Sequence, residues 1–182
     1  MKETLKRRLF VLTGLLAMLA GCASDLTYLD ARIDPFISTN YKAADALVDS
    51  IKSSGHGLPP DATLMVGTLV NIDSLEESSR LGRTISEQVQ ARLTQRGFKV
   101  IELKLRGALF IKKDQGELLL SREVQALRAS HKAEAVVVGT YSVAKQFIYV
   151  NLKMVDADNL AVSAHDYTLP LDRNVRALLK SQ

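Results

Sequence analysis

The sequence predicts an α/β chain. It is an α+β sandwich, with a mixed sheet of about five strands, helices packed on the sheet and an antiparallel hairpin closing it. Three observations lead there. Short apolar runs at residues 63–70 (TLMVGTLV) and 135–141 (AVVVGTY) are rich in β-formers and read as strands buried on both faces. Stretches with helical spacing separate the early strands, so these need crossovers and run parallel. The last three strands have short connections and run antiparallel.

Each element has its own signal. Asn40 is an N-cap candidate, and Ala43, Ala44, Leu47 and Ile51 recur at helical spacing after it. That helix stops near Gly55, where Gly55-His56-Gly57-Leu58-Pro59-Pro60 reads as a loop. After the strand at 63–70, a loop covers 71–78. A second helix covers 79–96, with Leu81, Ile85, Val89 and Leu93 as its buried stripe and Gly97 as its stop. Residues 98–103 (FKVIEL) form the next strand. Within 105–119, Lys112 to Gly116 reads as a turn between two short apolar pieces. Ser121 caps a third helix running to about His131.

The strand at 147–156 alternates. Ile148, Val150, Leu152 and Met154 face one way; Tyr149, Asn151 and Lys153 face the other. Asp156-Ala157-Asp158-Asn159 is turn chemistry, with Asn159 able to adopt positive φ. Residues 160–169 return as the hairpin partner, and Asp172 caps a short last helix containing Val175, Leu178 and Leu179.

The N-terminus has a different character. Lys2, Lys6, Arg7 and Arg8 against Glu3 give a net of +3. A 12-residue apolar run follows at 9–20, too short for a membrane span of about 20 residues and right for a signal-peptide core. It ends at Leu19-Ala20-Gly21-Cys22, which resembles the lipobox of bacterial lipoproteins. The resemblance implies that residues 1–21 are a signal peptide. It also implies that Cys22 carries a diacylglycerol and is acylated again on its amine by a fatty acid such as palmitate. Stable anchoring takes at least two acyl chains, and such a cysteine carries three. Ala23 follows, not the Asp that retains lipoproteins in the inner membrane. The outer membrane is therefore expected, with the domain facing the periplasm. The expected organisation is a signal peptide at 1–21, a lipidated tether at 22–39 and one α/β domain at 40–182, with Pro35 arguing against a long helix in the tether.

Composition excludes several functions. The 182-residue chain carries a formal charge of +4, but the part after residue 21 holds only +1. The excess charge that nucleic acid requires is therefore missing. Cys22 is the one cysteine, so the domain has neither a disulfide nor a catalytic thiol. His56, His131 and His165 have no partners at metal-ligand spacing, and no metal or other cofactor is expected. Phosphate-cradling and nucleophile-elbow motifs are absent from the sequence. Glu76-Glu77 reads as helix N-terminal electrostatics. Asp156 and Asp158 fall short of the oxygen count calcium needs. Arg80, Arg83, Arg92 and Arg96 read as a solvated helix face. An enzyme would have to assemble its site from scattered groups such as Asp73, Glu87 and His165, so none is expected.

An ordered series of short motifs remains: Leu81-Gly82-Arg83, Glu87-Gln88, Arg92-Leu93, Arg96-Gly97-Phe98-Lys99-Val100, Gly116-Glu117-Leu118, Leu120-Ser121-Arg122-Glu123, Val138-Gly139-Thr140-Tyr141 and Tyr149-Val150-Asn151. Together with the lipobox, the series resembles the FlgO family of outer-membrane lipoproteins over roughly residues 43–170. The expected fold is also similar to the periplasmic domain of CsgG and the N-terminal domain of TolB. The family resemblance implies a non-enzymatic structural or interaction role in flagellar assembly, outer-membrane ring stability or motility. The implied partners are the outer membrane through the lipid, and envelope or flagellar ring proteins, with a second copy of the chain as a further candidate. The alternative is a CsgG-like secretion or general envelope-assembly lipoprotein unrelated to flagella.

Overall fold

The computed structural model describes residues 34–53, 58–59, 61–75, 79–103, 109–112, 117–120 and 122–179. The lipobox with Cys22, His56, Glu76, Glu77, Gly116 and Ser121 lie outside these residues. The sheet and the helices on it lie within one unit, Phe36–Gln182.

Helix α1 spans Pro35–Ser53 and starts five residues before the expected cap at Asn40. Pro35 takes its first position, where the missing N–H costs nothing and the fixed φ suits a helix. Proline thus begins this helix instead of forbidding it. Asn40 is no cap: it sits within α1 and is fully buried.

The expected strand at 63–70 is two strands, β1 (Thr63–Gly67) and β2 (Val70–Asn71). The break has a local cause. Ser86 Oγ, on the helix above, accepts from the Leu69 N–H (2.9 Å) and lies 3.1 Å from the Gly67 carbonyl, so a side chain replaces the sheet ladder there.

Helix α2 (Arg80–Gln95) is capped by Ser79, whose Oγ accepts from the Gly82 N–H at 2.9 Å. Leu81, Ile85, Val89 and Leu93 are all fully buried, as their spacing predicts. The chain leaves α2 through Gly97 at φ 93°, a conformation that favours glycine. Strand β3 is Lys99–Leu103. A separate antiparallel pair follows, β4 (Leu109–Lys112) and β5 (Glu117–Leu120), which flanks the expected turn. Then come α3 (Arg122–Ser130), β6 (Ala135–Val143), β7 (Phe147–Val155), β8 (Ala161–Pro170) and α4 (Arg173–Leu179). Asn159 adopts φ 61° in the β7–β8 turn, and Asp172 Oδ1 caps α4 by accepting from the Val175 N–H.

The sheet order is β3-β1-β6-β7-β8, with β2 beside β6. β1 runs parallel to β3 and β6, and β6, β7 and β8 run antiparallel, the mixed sheet that the connection lengths predict. Period-2 alternation splits the core. On one face Leu64, Val66, Val137, Ile148, Leu152 and Met154 pack with Leu47 and Ile51 of α1, the α2 stripe and Val175 of α4. On the other face Met65, Val136 and Val138 pack with Val124 of α3. Each fully buried aliphatic side chain contributes about 1.5–3 kcal/mol, so the larger cluster dominates stability.

Candidate functional site

Helix α3 covers only part of the second face. Beyond the α3 contacts, three strands meet in register on this face. Ser142, Tyr149 and Thr168 form one row across β6, β7 and β8; Thr140, Asn151 and Asp166 form the next. With Ile72 at the rim they line a shallow cleft of about 330 Å³. Asn151 Nδ2 donates to Asp166 Oδ1 across the strands. Tyr149 stands 54% exposed over the cleft. The cleft offers hydroxyl, amide and one carboxylate group beside an aromatic ring. That chemistry suits hydrogen bonding and stacking, and it contains no nucleophile paired with a base.

The sheet's outer edge is β8. Leu171 N–H donates to the Gln146 carbonyl at 2.8 Å, which sets the phase of the β7–β8 ladder. Leu169, Tyr167, His165 and Ser163 therefore turn their backbone groups toward β7. Pro170, Thr168, Asp166 and Ala164 turn theirs outward. Proline sits where a strand tolerates it, with the absent N–H on the open side. β8 is long for an edge, at ten residues, and carries no Lys or Arg to discourage a further strand.

Two clamps hold the helices beneath this surface. Asp45 on α1 accepts from Arg92 (2.8 Å) and Arg96 (2.7 Å) of α2, and Arg96 also reaches Asp49 at 2.8 Å. Arg92 stacks over Tyr41, 5.7 Å from the ring centre. Burial pushes the Asp45 pKa up, but the hydrogen bonds from the two guanidinium groups outweigh it and hold the carboxyl below its ordinary value. The arginine row of α2 is thus not a solvated face: Arg92 and Arg96 tie α2 to α1, and Arg80 donates to the Ala177 carbonyl of α4. The second clamp centres on the buried Asn40. Asn40 Nδ2 donates to Gln88 Oε1 (2.5 Å), and Asn40 Oδ1 accepts from Tyr167 Oη (2.6 Å), linking α1, α2 and β8. Burial raises the Tyr167 pKa, which keeps the phenol protonated as a donor.

The other candidate residues take structural places. Asp156 accepts from the Asp158 and Leu160 N–H groups, both at 2.9 Å, and so closes the β7–β8 turn. His165 stacks on Tyr167, ring centres 6.1 Å apart. His131 follows α3. Among the described residues no three His, Cys, Asp or Glu side chains converge, so Asp73, Glu87 and His165 form no common cluster. No helix among the described residues is long and apolar enough to cross a membrane. The sequence did not single out Asn40–Gln88–Tyr167 as a network. The partners lie 48 and 127 residues apart, and no local pattern joins them.

The motif glycines have steric reasons. A Cβ on Gly82 would lie 2.0 Å from the Leu69 carbonyl oxygen, and one on Gly139 would lie 2.7 Å from the Asn151 carbonyl oxygen. Both mark close approaches of backbone to backbone.

No curated protein matches the chain. Among solved structures, the LpoB C-terminal domain from Salmonella enterica is similar at 10% identity and TM-score 0.43, over 69% of this chain and 96% of that one. The lipoprotein GNA1162 from Neisseria meningitidis is similar at 12% identity and TM-score 0.42, over 62% and 83%. A PelC dodecamer from Paraburkholderia phytofirmans is similar at 10% identity and TM-score 0.43, over 67% and 82%. The model of the FlgO protein family matches residues 41–174, most of the chain and nearly the whole described domain, and the chain belongs to the FlgO family.

Proposed function

We infer that the chain is a non-enzymatic lipoprotein of the bacterial envelope. It is cleaved after Gly21, lipidated at Cys22 and held on the outer membrane with its domain in the periplasm. Its work is structural: it binds envelope or flagellar outer-membrane ring proteins and supports flagellar assembly or stability. The observation that carries this reading is membership of the FlgO family over residues 41–174. The sheet adds support, since a polar cleft and a ten-residue strand that ends the sheet among the described residues suit addition of a partner's strand.

The test is genetic. A strain lacking the chain is complemented with wild type or with Cys22→Ala, swimming is measured in soft agar, and flagella are counted by electron microscopy. The expected outcome is lost swimming, restored by wild type and not by Cys22→Ala. Normal swimming and normal flagella without the chain would refute the motility role.

A further inference from the structure

Five large hydrophobic side chains stand exposed on the described domain: Ile72, Val143, Phe147, Tyr149 and Leu160. Four of them gather at one end. Val143 closes β6 and Phe147 opens β7, on either side of the 144–146 turn. Tyr149 is two residues further along β7. The Ile72 N–H donates to the Tyr141 carbonyl (2.9 Å), which brings Ile72 to the same level. Leu160 alone lies at the opposite end, one strand length away, about 30 Å. Single exposed hydrophobics need no explanation, but a cluster marks a contact surface.

The same end is where the N-terminal chain joins the domain. Along α1, Asn40 bonds to Tyr167, while Ser163 Oγ donates to the Leu47 carbonyl. α1 therefore runs away from the Pro170 end of β8, and its first residues lie at that end. β8 pairs Pro170 with Phe147, so this is the Phe147 end. Only fourteen positions separate Phe36 from Cys22, at most about 50 Å of extended chain. Cationic side chains border the cluster. Lys145, Arg173 and Arg176 are exposed, and Arg176 donates to the Lys145 carbonyl at 3.2 Å, which sets α4 beside the turn. Asp34, Asp73 and Asp172 are nearby acids, and the Asp172 carboxylate is already engaged as the α4 cap.

We propose that this end of the domain rests on the bilayer that holds the lipid anchor. Phe147 and Val143 enter the boundary between headgroups and acyl chains, Tyr149 lies at headgroup level, and Lys145, Arg173 and Arg176 face lipid phosphates. A patch this small binds a bilayer weakly by itself. The tether makes the contact intramolecular, so a weak patch suffices. The position of the tether's attachment favours the bilayer over a protein partner. The strands then rise from the membrane, and the β8 edge stays reachable from the side. The inference rests on lipidation of Cys22.

Tryptophan is absent from the chain, so single tryptophans report position. Full-length lipidated Phe147→Trp and Leu160→Trp chains are reconstituted in phosphatidylethanolamine–phosphatidylglycerol vesicles with and without brominated acyl chains. Both positions are exposed, and circular dichroism checks each fold. Bromolipid should quench Phe147→Trp emission by about twofold, as for an interfacial aromatic, and leave Leu160→Trp unchanged. Mass spectrometry of the N-terminus and vesicle flotation separate the ways of failing. An unlipidated chain that does not float defeats the anchor reading and this inference together. A floating chain whose Phe147→Trp is unquenched defeats this inference alone. Shielding of that tryptophan from acrylamide without bromolipid quenching would assign the patch to a protein partner or a second copy.

Discussion

Gly82 and Gly139 show how little room the sheet leaves at single residues. The atom that blocks a Cβ at Gly82 is the Leu69 carbonyl oxygen, at 2.0 Å, and a backbone oxygen cannot swing aside as a side chain can. Gly82→Ala must push α2 off the β1–β2 break. It should cost at least the 1–3 kcal/mol typical of overpacking, about as a lower bound, and more than Gly139→Ala, where the contacts are 2.7–2.9 Å. Urea unfolding of the two variants checks the order; a smaller loss at Gly82 would contradict it. Tyr167 makes a second case. Tyr167→Phe removes the donor to Asn40 Oδ1 within a site where Asn40 has no exposed surface. The orphaned oxygen should cost about 1–3 kcal/mol. A double-mutant cycle with Asn40→Ala should show strong coupling, and additive losses would rule the pair out as a unit.

Between elements, the clamp of Asp45 with Arg92 and Arg96 makes the α1–α2 contact pH-dependent. In the folded state the two guanidinium groups hold the Asp45 carboxyl below its ordinary pKa. Its contribution is therefore fully present above the unfolded value and lost as pH falls through the folded one. Asp45→Asn should destabilise the domain at pH 7 by about 1–3 kcal/mol, between exposed and buried ion pairs, and the deficit should shrink below about pH 4. Thermal melts across pH report this directly; a deficit that stays constant into acid would assign the loss to packing. The β8 edge gives a different prediction. Thr168→Pro removes an outward N–H and no ladder bond to β7, so the fold should persist. Crosslinks to partners that add a strand there should vanish while the melt stays within a few degrees, and retained crosslinks would move the contact elsewhere. Elements were also where sequence reading succeeded and failed most clearly. The stripe Leu81, Ile85, Val89, Leu93 and the alternation from Ile148 to Met154 were legible because burial is periodic. The start of α1, the β1–β2 break and the arginine clamp were not. Pro35 is ambiguous without its backbone, Ser86 acts across 17 residues, and Asp45 meets its arginines across 47 and 51.

At the scale of the whole molecule, the parallel and antiparallel directions of the main strands were legible from connection lengths, but the surface was not. The polar cleft joins residues of β6, β7 and β8, and the apolar end joins residues of β6, β7 and the chain after β2 near the start of α1. Neither is a property of any one segment. The first turns of α1 carry a stability prediction of their own. The family match begins at residue 41, whereas α1 begins at Pro35. Phe36 packs against the main core, and the buried Asn40 joins Gln88 to Tyr167. A chain beginning at Asp34 should therefore melt with the same midpoint as the chain beginning at Cys22. A chain beginning at Tyr41 loses part of an aromatic anchor and strands Gln88 and Tyr167. Together these should cost about 2–4 kcal/mol, which lowers the midpoint by roughly 5–15 °C for a domain of this size. Calorimetry of the three chains distinguishes the outcomes. Equal midpoints for all three would mean that the first turns of α1 contribute nothing to stability. A drop already in the chain beginning at Asp34 would mean that residues before α1 hold the domain together.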